Sequence, residues 1–361
     1  MRTMPSPYLS ALHRAAAGGL AALLLATGCG VSPDRPGAPD PPGAEPAERD
    51  VRFDSGPDTL HGTFALPPVT DDEPVPAALI ISGSGPTDRD GNSELRPGAD
   101  TNLNLARVLA EAGVASLRYD KLGSGETGMA SRDAADPVSY EVFEEEMADA
   151  YAELIAQPEV DPDRVVVVGH SEGALFALRS PDVVDEHPPV GLILAAPIGD
   201  RYLDTLDRQF TEQVRAAETS RQISAAGATD LLSELRTGIA RIRAGKPLPD
   251  EVAAPLSPVL TPANAPFLRA IDSMDPAELA RELPPETRTL VLWGTADAQI
   301  AEDDVDRLMG GLDNARRVDL PDADHVLRFY DDSPGVSVLD ADREFSPDVA
   351  PAVHGFLDDL L

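Results

Sequence analysis

Two rhythms of apolar residues alternate along this chain. Short apolar runs lie at 77–82, 114–119, 165–168, 191–196 and 289–293, with a weaker one at 315–320. A run such as Val165-Val166-Val167-Val168 has no polar face at all, which is what a parallel strand covered on both sides requires. Between these runs the spacing lengthens to that of a helix. Leu103, Ala106 and Leu109 recur over 102–111; Val142, Met147, Tyr151 and Leu154 recur over 139–157; and 349–361 closes the chain. In the second of these helices Glu144-Glu145-Glu146 reads as the solvated face. Runs at 51–53 and 60–66, around Asp54-Ser55-Gly56-Pro57-Asp58, predict a leading β-hairpin. Strands alternating with helices predict an α/β fold, a mostly parallel, doubly wound sheet with right-handed crossovers.

Residues 201–285 break the rhythm. They are helix-rich, offer no strand, and fall between two sheet strands. An insertion there predicts a helical cap over the carboxyl edge of the sheet.

The first 50 residues have another character. Arg2, His13 and Arg14 precede an apolar stretch at 15–26, which ends Leu25-Ala26-Thr27-Gly28-Cys29. A basic start, an apolar run of ~7–15 residues and a small-residue cleavage site make a secretory signal. The run falls short of the ~20 residues a spanning helix needs. Small residues before a lone cysteine resemble a bacterial lipobox, whose thiol is diacylated and becomes the new N-terminus. An ordinary cleaved signal with an incidental Cys29 is the other reading. The chain is thus expected to comprise a lipoprotein signal at 1–28, a Pro-rich tether at 29–50 and one domain at 51–361 that includes the 201–285 cap. The domain is expected outside the cytoplasm, held to the cell membrane through lipidated Cys29.

Composition is that of a globular protein, but charge is not: 63 acidic residues face 29 basic ones, a formal net charge of −34. That excess argues against a nucleic-acid partner, which needs clustered positive charge. Cys29 is the only cysteine, so no disulfide forms within the chain.

Candidate chemistry centres on Val168-Gly169-His170-Ser171-Glu172-Gly173. The pattern G-x-S-x-G follows a strand and precedes a helix, the setting of a sharp turn that lifts a serine hydroxyl to the sheet edge. A serine needs a base. Of six histidines, His13 lies in the signal, His61 in the hairpin, His170 in the turn itself, His187 in a Pro-rich loop and His354 in the last helix. His325, in Asp322-Ala323-Asp324-His325 after the last strand, remains. Asp297, just past the strand ending Trp293-Gly294, is expected to orient it, with Asp303, Asp304, Asp322 and Asp324 as competitors. The order Ser, Asp, His is that of α/β-hydrolases. Two N–H groups must face the developing oxyanion. Glu172 is expected to supply one and Ser84, in Ser82-Gly83-Ser84-Gly85, the other. No metal-ligand cluster stands out, and the chemistry calls for no cofactor. The Gly-rich loop lacks the Gly-Lys-Ser/Thr ending of a phosphate cradle.

Together these residues resemble the α/β-hydrolase superfamily. The loop from Ser82 to Gly91 and the Gly-His-Ser-Glu-Gly turn are similar to a branch of bacterial carboxylesterases of serine aminopeptidase-like or dienelactone hydrolase-like type. Asp275-Pro276-Ala277-Glu278-Leu279 is similar too, whereas Leu122 and Ala174 depart from residues common in that branch. The resemblance implies a serine hydrolase that cleaves small carboxylic esters through an acyl-enzyme. A peptidase or amidase with the same triad, and a non-catalytic binding lipoprotein on this scaffold, are the rival expectations.

Overall fold

The computed structural model describes residues 46–361 apart from 69–72, 134–137, 332, 334 and 335. Eight strands form one sheet: β1 (Ala47–Ser55), β2 (Asp58–Leu66), β3 (Val75–Ile81), β4 (Ala115–Asp120), β5 (Val160–His170), β6 (Gly191–Ala195), β7 (Arg288–Gly294) and β8 (Ala315–Leu320). Their order is β1-β2-β4-β3-β5-β6-β7-β8. The hairpin β1–β2 pairs antiparallel with β4, and every pairing from β4 to β8 is parallel. Strand β1 begins at Ala47, so the last residues of the expected tether are part of the sheet.

Strand alternation sorts the core into two layers. Leu79, Ile81, Val165, Val167 and Val291 face one way, where α2 (Tyr140–Ile155) and α3 (Gly173–Val183) cover them. Ile80, Val166, Val168 and Ile193 face the other way, toward α1 (Thr101–Glu111) and α9 (Val349–Leu360). This is the predicted doubly wound arrangement.

Helix α2 corrects two expectations. Its inner face is Phe143, Met147, Ala150, Tyr151 and Leu154, with Val142 only half-buried. Glu146, assigned to the solvated face, is buried. It sits one residue before Met147 on the inner stripe, and both carboxylate oxygens accept from the Leu122 N–H at 3.2 Å. Burial raises its pKa to about 8. Three glutamates in a row span 200° of helix, so one of them had to turn inward.

Between β6 and β7 come α4 (Tyr202–Thr219), α5 (Ala225–Arg243), α6 (Ala265–Asp272) and α7 (Pro276–Glu282), with no strand among the described residues of the segment. The first three pack on one another as the cap. Helix α7 instead packs on α3 and on α8 (Glu302–Met309), so it belongs to the layer flanking the sheet. Asp275 caps it, accepting from the N–H groups of Ala277 and Glu278. The cap's own buried carboxylate, Asp272, holds Arg201 at 2.7 Å, Arg243 at 2.9 Å and the Leu203 N–H at 3.0 Å, which pins the start of α4 to the end of α6.

Candidate active site

The turn at Ser171 is dictated by close backbone approach. Ser171 follows the last residue of β5 and adopts φ +56°, a left-handed conformation that costs a non-glycine residue about 1–3 kcal/mol. The Ser171 N–H donates to Ala195 O at 2.9 Å, which ties the turn to the end of β6. A side chain at position 169 would collide with the Gly173 carbonyl, and one at 173 with the Ile81 carbonyl. The glycines of the motif are therefore space requirements of the strand-to-helix crossing.

His325 lies in the loop after β8. Its Nδ1 is 2.9 Å from Asp297 Oδ2, in the loop after β7. A carboxylate only accepts, so Nδ1 carries the proton and Nε2 keeps the lone pair a base needs. The Asp297 side chain is fully buried. Its other oxygen accepts from the N–H groups of Gln299 at 2.7 Å and Ile300 at 3.0 Å, so its orientation is fixed before any substrate arrives.

Four of the expected residues lie at the carboxyl edge in two groups, and among the described residues no hydrogen bond joins the Ser171 hydroxyl to the His325 ring. Ser171 and Ser84 line one narrow cleft with Ile198, Tyr202, Thr205, Leu206, Gln209 and Gln299, so cap helix α4 forms its roof. Asp297 and His325 form their pair at the ends of neighbouring strands. Glu172 follows Ser171, and among the described residues the N–H groups of Ser84 and Glu172 bond no protein acceptor. Asp303 and Asp304 begin α8, and Asp304 is taken by Arg208 of the cap. Cys29 lies outside the described residues.

Three features escaped the sequence reading. His170, inside the motif, is a lock for the histidine loop: its Nε2 donates to the His325 carbonyl at 2.8 Å. Burial, with nearby His325 adding to it, lowers the His170 pKa to about 3, so it stays neutral. Asp324, a competitor for the acid, is the hub of the loop's anchorage. It accepts from Arg96 at 2.9 Å, Arg343 at 2.8 Å, and the N–H groups of Val326 and Arg328. Burial works to raise its pKa, and the two guanidiniums outweigh that and hold it below the usual carboxylate range. The third feature is a buried chain behind the elbow. Lys121 Nζ lies 2.8 Å from Gly83 O and 3.3 Å from Glu172 Oε1, and the Tyr202 hydroxyl donates to Glu172 Oε2 at 2.7 Å. A lysine 51 residues upstream of Glu172 leaves no spacing signal to read. Among the described residues no group of side chains is placed to hold a metal ion, and no helix is long and apolar enough to cross a membrane.

A parallel sheet, a strained serine at the end of its central strand and an Asp–His pair at the ends of later strands define the α/β-hydrolase architecture. The chain belongs to the alpha/beta hydrolase family, whose model matches residues 78–341. It is similar to Esterase EstD of Thermotoga maritima, 24% identical over 258 residues; the match covers 70% of this chain and only 55% of that protein. Two solved structures share the fold. A hypothetical protein of Pseudomonas aeruginosa superposes with a TM-score of 0.56 at 17% identity, covering 89% of this chain and 96% of its own. Est1E of Butyrivibrio proteoclasticus, solved with ferulic acid bound, gives 0.54 at 17% identity, covering 86% and 98%.

Proposed function

We propose that the protein is a serine hydrolase that cleaves small carboxylic esters through an acyl-enzyme. The observation that carries this reading is the Asp297–His325 pair, with the free lone pair of Nε2, at the sheet edge that also bears the strained Ser171. In the proposed reaction Ser171 Oγ attacks the ester carbonyl as its proton passes to His325 Nε2. The N–H groups of Ser84 and Glu172 hold the oxyanion. The tetrahedral intermediate collapses, the C–O bond to the alcohol breaks, and the alcohol leaves with the proton from His325. Water, deprotonated by the same nitrogen, then releases the acid and restores Ser171. Esterase EstD among its relatives supports ester over amide cleavage.

The reading extends to location. The 1–28 segment and Cys29 support export and lipid anchoring, with the Pro-rich stretch before β1 as tether. Replacing Cys29 by Ser should release the protein from the membrane fraction; a variant that stays bound refutes the anchor.

The deciding assay compares p-nitrophenyl acetate with an aminoacyl-p-nitroanilide and follows fluorophosphonate labelling of the protein. Turnover of the ester alone, with label on Ser171, is the expected result. Preference for the anilide makes it a peptidase, and no turnover and no label make it a binding protein.

A further inference from the structure

Lys121 is one of two lysines in the chain, and its side chain is 5% exposed. It follows β4 directly, at the carboxyl edge of the sheet. A buried ammonium is costly unless its donors are used. Here one donor goes to the Gly83 carbonyl and one to the Glu172 carboxylate, while the rings of Phe143 and Phe176 lie 5.8 and 5.9 Å from Nζ. Both polar partners belong to the groups assigned above to the oxyanion hole. The Gly83 carbonyl and the Ser84 N–H are the two ends of one peptide unit. The other donor, the N–H of Glu172, belongs to the residue whose side chain Lys121 grips.

We propose that Lys121 is the positioning residue of the oxyanion hole, fixing both of its donors through Gly83 O and the Glu172 carboxylate, and that Tyr202 ties the same network to the cap. The inference rests on the serine-hydrolase reading above. A trans peptide is planar, with C=O and N–H pointing opposite ways. Holding the Gly83 oxygen from the protein interior therefore aims the Ser84 N–H outward, toward the cleft that Ser84 and Ser171 line. A cation on the carbonyl also polarises the peptide and strengthens its N–H as a donor, as in any hydrogen-bonded chain of low local dielectric. The Glu172 carboxylate is held from two sides, by Lys121 and by the Tyr202 hydroxyl, and Tyr202 lines the same cleft as Ser84. Both donors of the hole are thereby set by one ammonium. Lys121 touches neither the substrate nor the reacting atoms; it acts through the backbone.

This role separates from a merely structural one in the kinetics. A preorganised oxyanion hole stabilises the transition state and not the ground state, so its loss lowers kcat and leaves KM alone. The test uses the full chain with Lys121→Met and with Lys121→Met/Glu172→Gln, which buries no unpaired charge and keeps the experiment informative should the single variant fail to fold. Removing one oxyanion donor outright costs about 10²–10³ in kcat. Misaligned donors should cost less, about 10–100-fold for p-nitrophenyl acetate, with KM within about twofold. The inhibition constant of phenylboronic acid, whose serine adduct places an oxygen in the hole, should rise by a similar factor. A kcat within twofold of the parent, or a fallen kcat with unchanged boronate affinity, overturns the proposal. A parent that neither turns over the ester nor takes fluorophosphonate at Ser171 removes the hydrolase reading and this one with it. An active parent with unaffected variants removes this one alone.

Discussion

The carboxyl edge of the sheet and the cap above it are held in shape by different physics. At the edge, backbone meets backbone. Side chains at 169 and 173 would strike carbonyl groups, and a side chain at 294 would strike the Ala323 carbonyl, which brings the end of β7 against the loop that carries His325. In the cap, arginines reach across to carboxylates. Arg201 and Arg243 share Asp272, and Arg208 joins α4 to Asp304 and to the Gln299 carbonyl. Contacts of the first kind have no substitute, because a displaced backbone displaces every donor on it. Contacts of the second kind are redundant and partly open to water, where an ion pair contributes about 0–1 kcal/mol. The edge should therefore answer to single substitutions in orders of magnitude, and the cap in small factors.

The sharpest break is at Ser171, the proposed nucleophile. Ser171→Ala should lower kcat for p-nitrophenyl acetate by about 10⁶-fold, as loss of the serine does in other triads, while the thermal unfolding midpoint stays within a few degrees. Activity surviving at a hundredth of the parent would place the nucleophile elsewhere.

Next come the two aspartates on either side of His325. Asp297→Asn should cost about 10⁴ in kcat, because an amide at that position lets the imidazole settle in the wrong tautomer. The Asp324 carboxylate bonds Arg96, Arg343 and the N–H groups of Val326 and Arg328, not the His325 ring. Its loss leaves Arg96 and Arg343 without that partner, so Asp324→Asn should cost stability, about 3 kcal/mol in denaturant unfolding, and far less in kcat. Reversed outcomes would move the acid from the β7 loop to the β8 loop.

A pH effect under the sheet comes next. Glu146 has its pKa raised to about 8 by burial, from 4.5. The folded state then holds a proton that the unfolded state has released, so the contribution of Glu146 to stability is complete below pH 4.5 and declines as pH rises toward 8. Glu146→Gln should remove that decline. The stability of the parent relative to this variant should fall between pH 5 and pH 8, by on the order of 1 kcal/mol per pH unit. Parallel stability curves would show that Glu146 keeps its charge in the fold.

What could be read from the sequence follows the same division. The apolar runs predicted β3 to β7, because a strand covered on both faces has no freedom of pattern, and the weaker run marked β8, an edge strand in which only Leu320 is buried. The positions of the G-x-S-x-G turn, Asp297 and His325 could be placed because each lies in the turn or loop that follows a strand, and topology alone brings strand ends to one edge. Lys121 also follows a strand directly, yet its partners lie on two other loops and its position gives no hint of them. Glu146 was misread because charge was taken as a sign of exposure, although the inner stripe of α2 runs through it. The cap was legible only as an interruption. Its geometry rests on pairs such as Arg201–Asp272, 71 residues apart, and a sequence rich in both charges offers too many equivalent pairings to single one out.

The smallest expected effect lies in that pair and bears most directly on the contrast between edge and cap. Asp272 is 1% exposed, and its carboxylate is shared by Arg201 and Arg243. With either arginine gone, the other still neutralises it, and the Leu203 N–H still donates to it. Arg201→Gln and Arg243→Gln should therefore each cost about 1 kcal/mol or less, with KM for the ester within about threefold of the parent. The double variant leaves a buried carboxylate with no cation, a penalty of about 3 kcal/mol, well above the sum of the singles. A double-mutant cycle on unfolding free energy measures that excess. Costs that merely add would mean that the two arginines act independently and that the cap has no redundancy. Singles that each cost as much as the pair would mean that both are indispensable, and the cap would then be held as strictly as the edge.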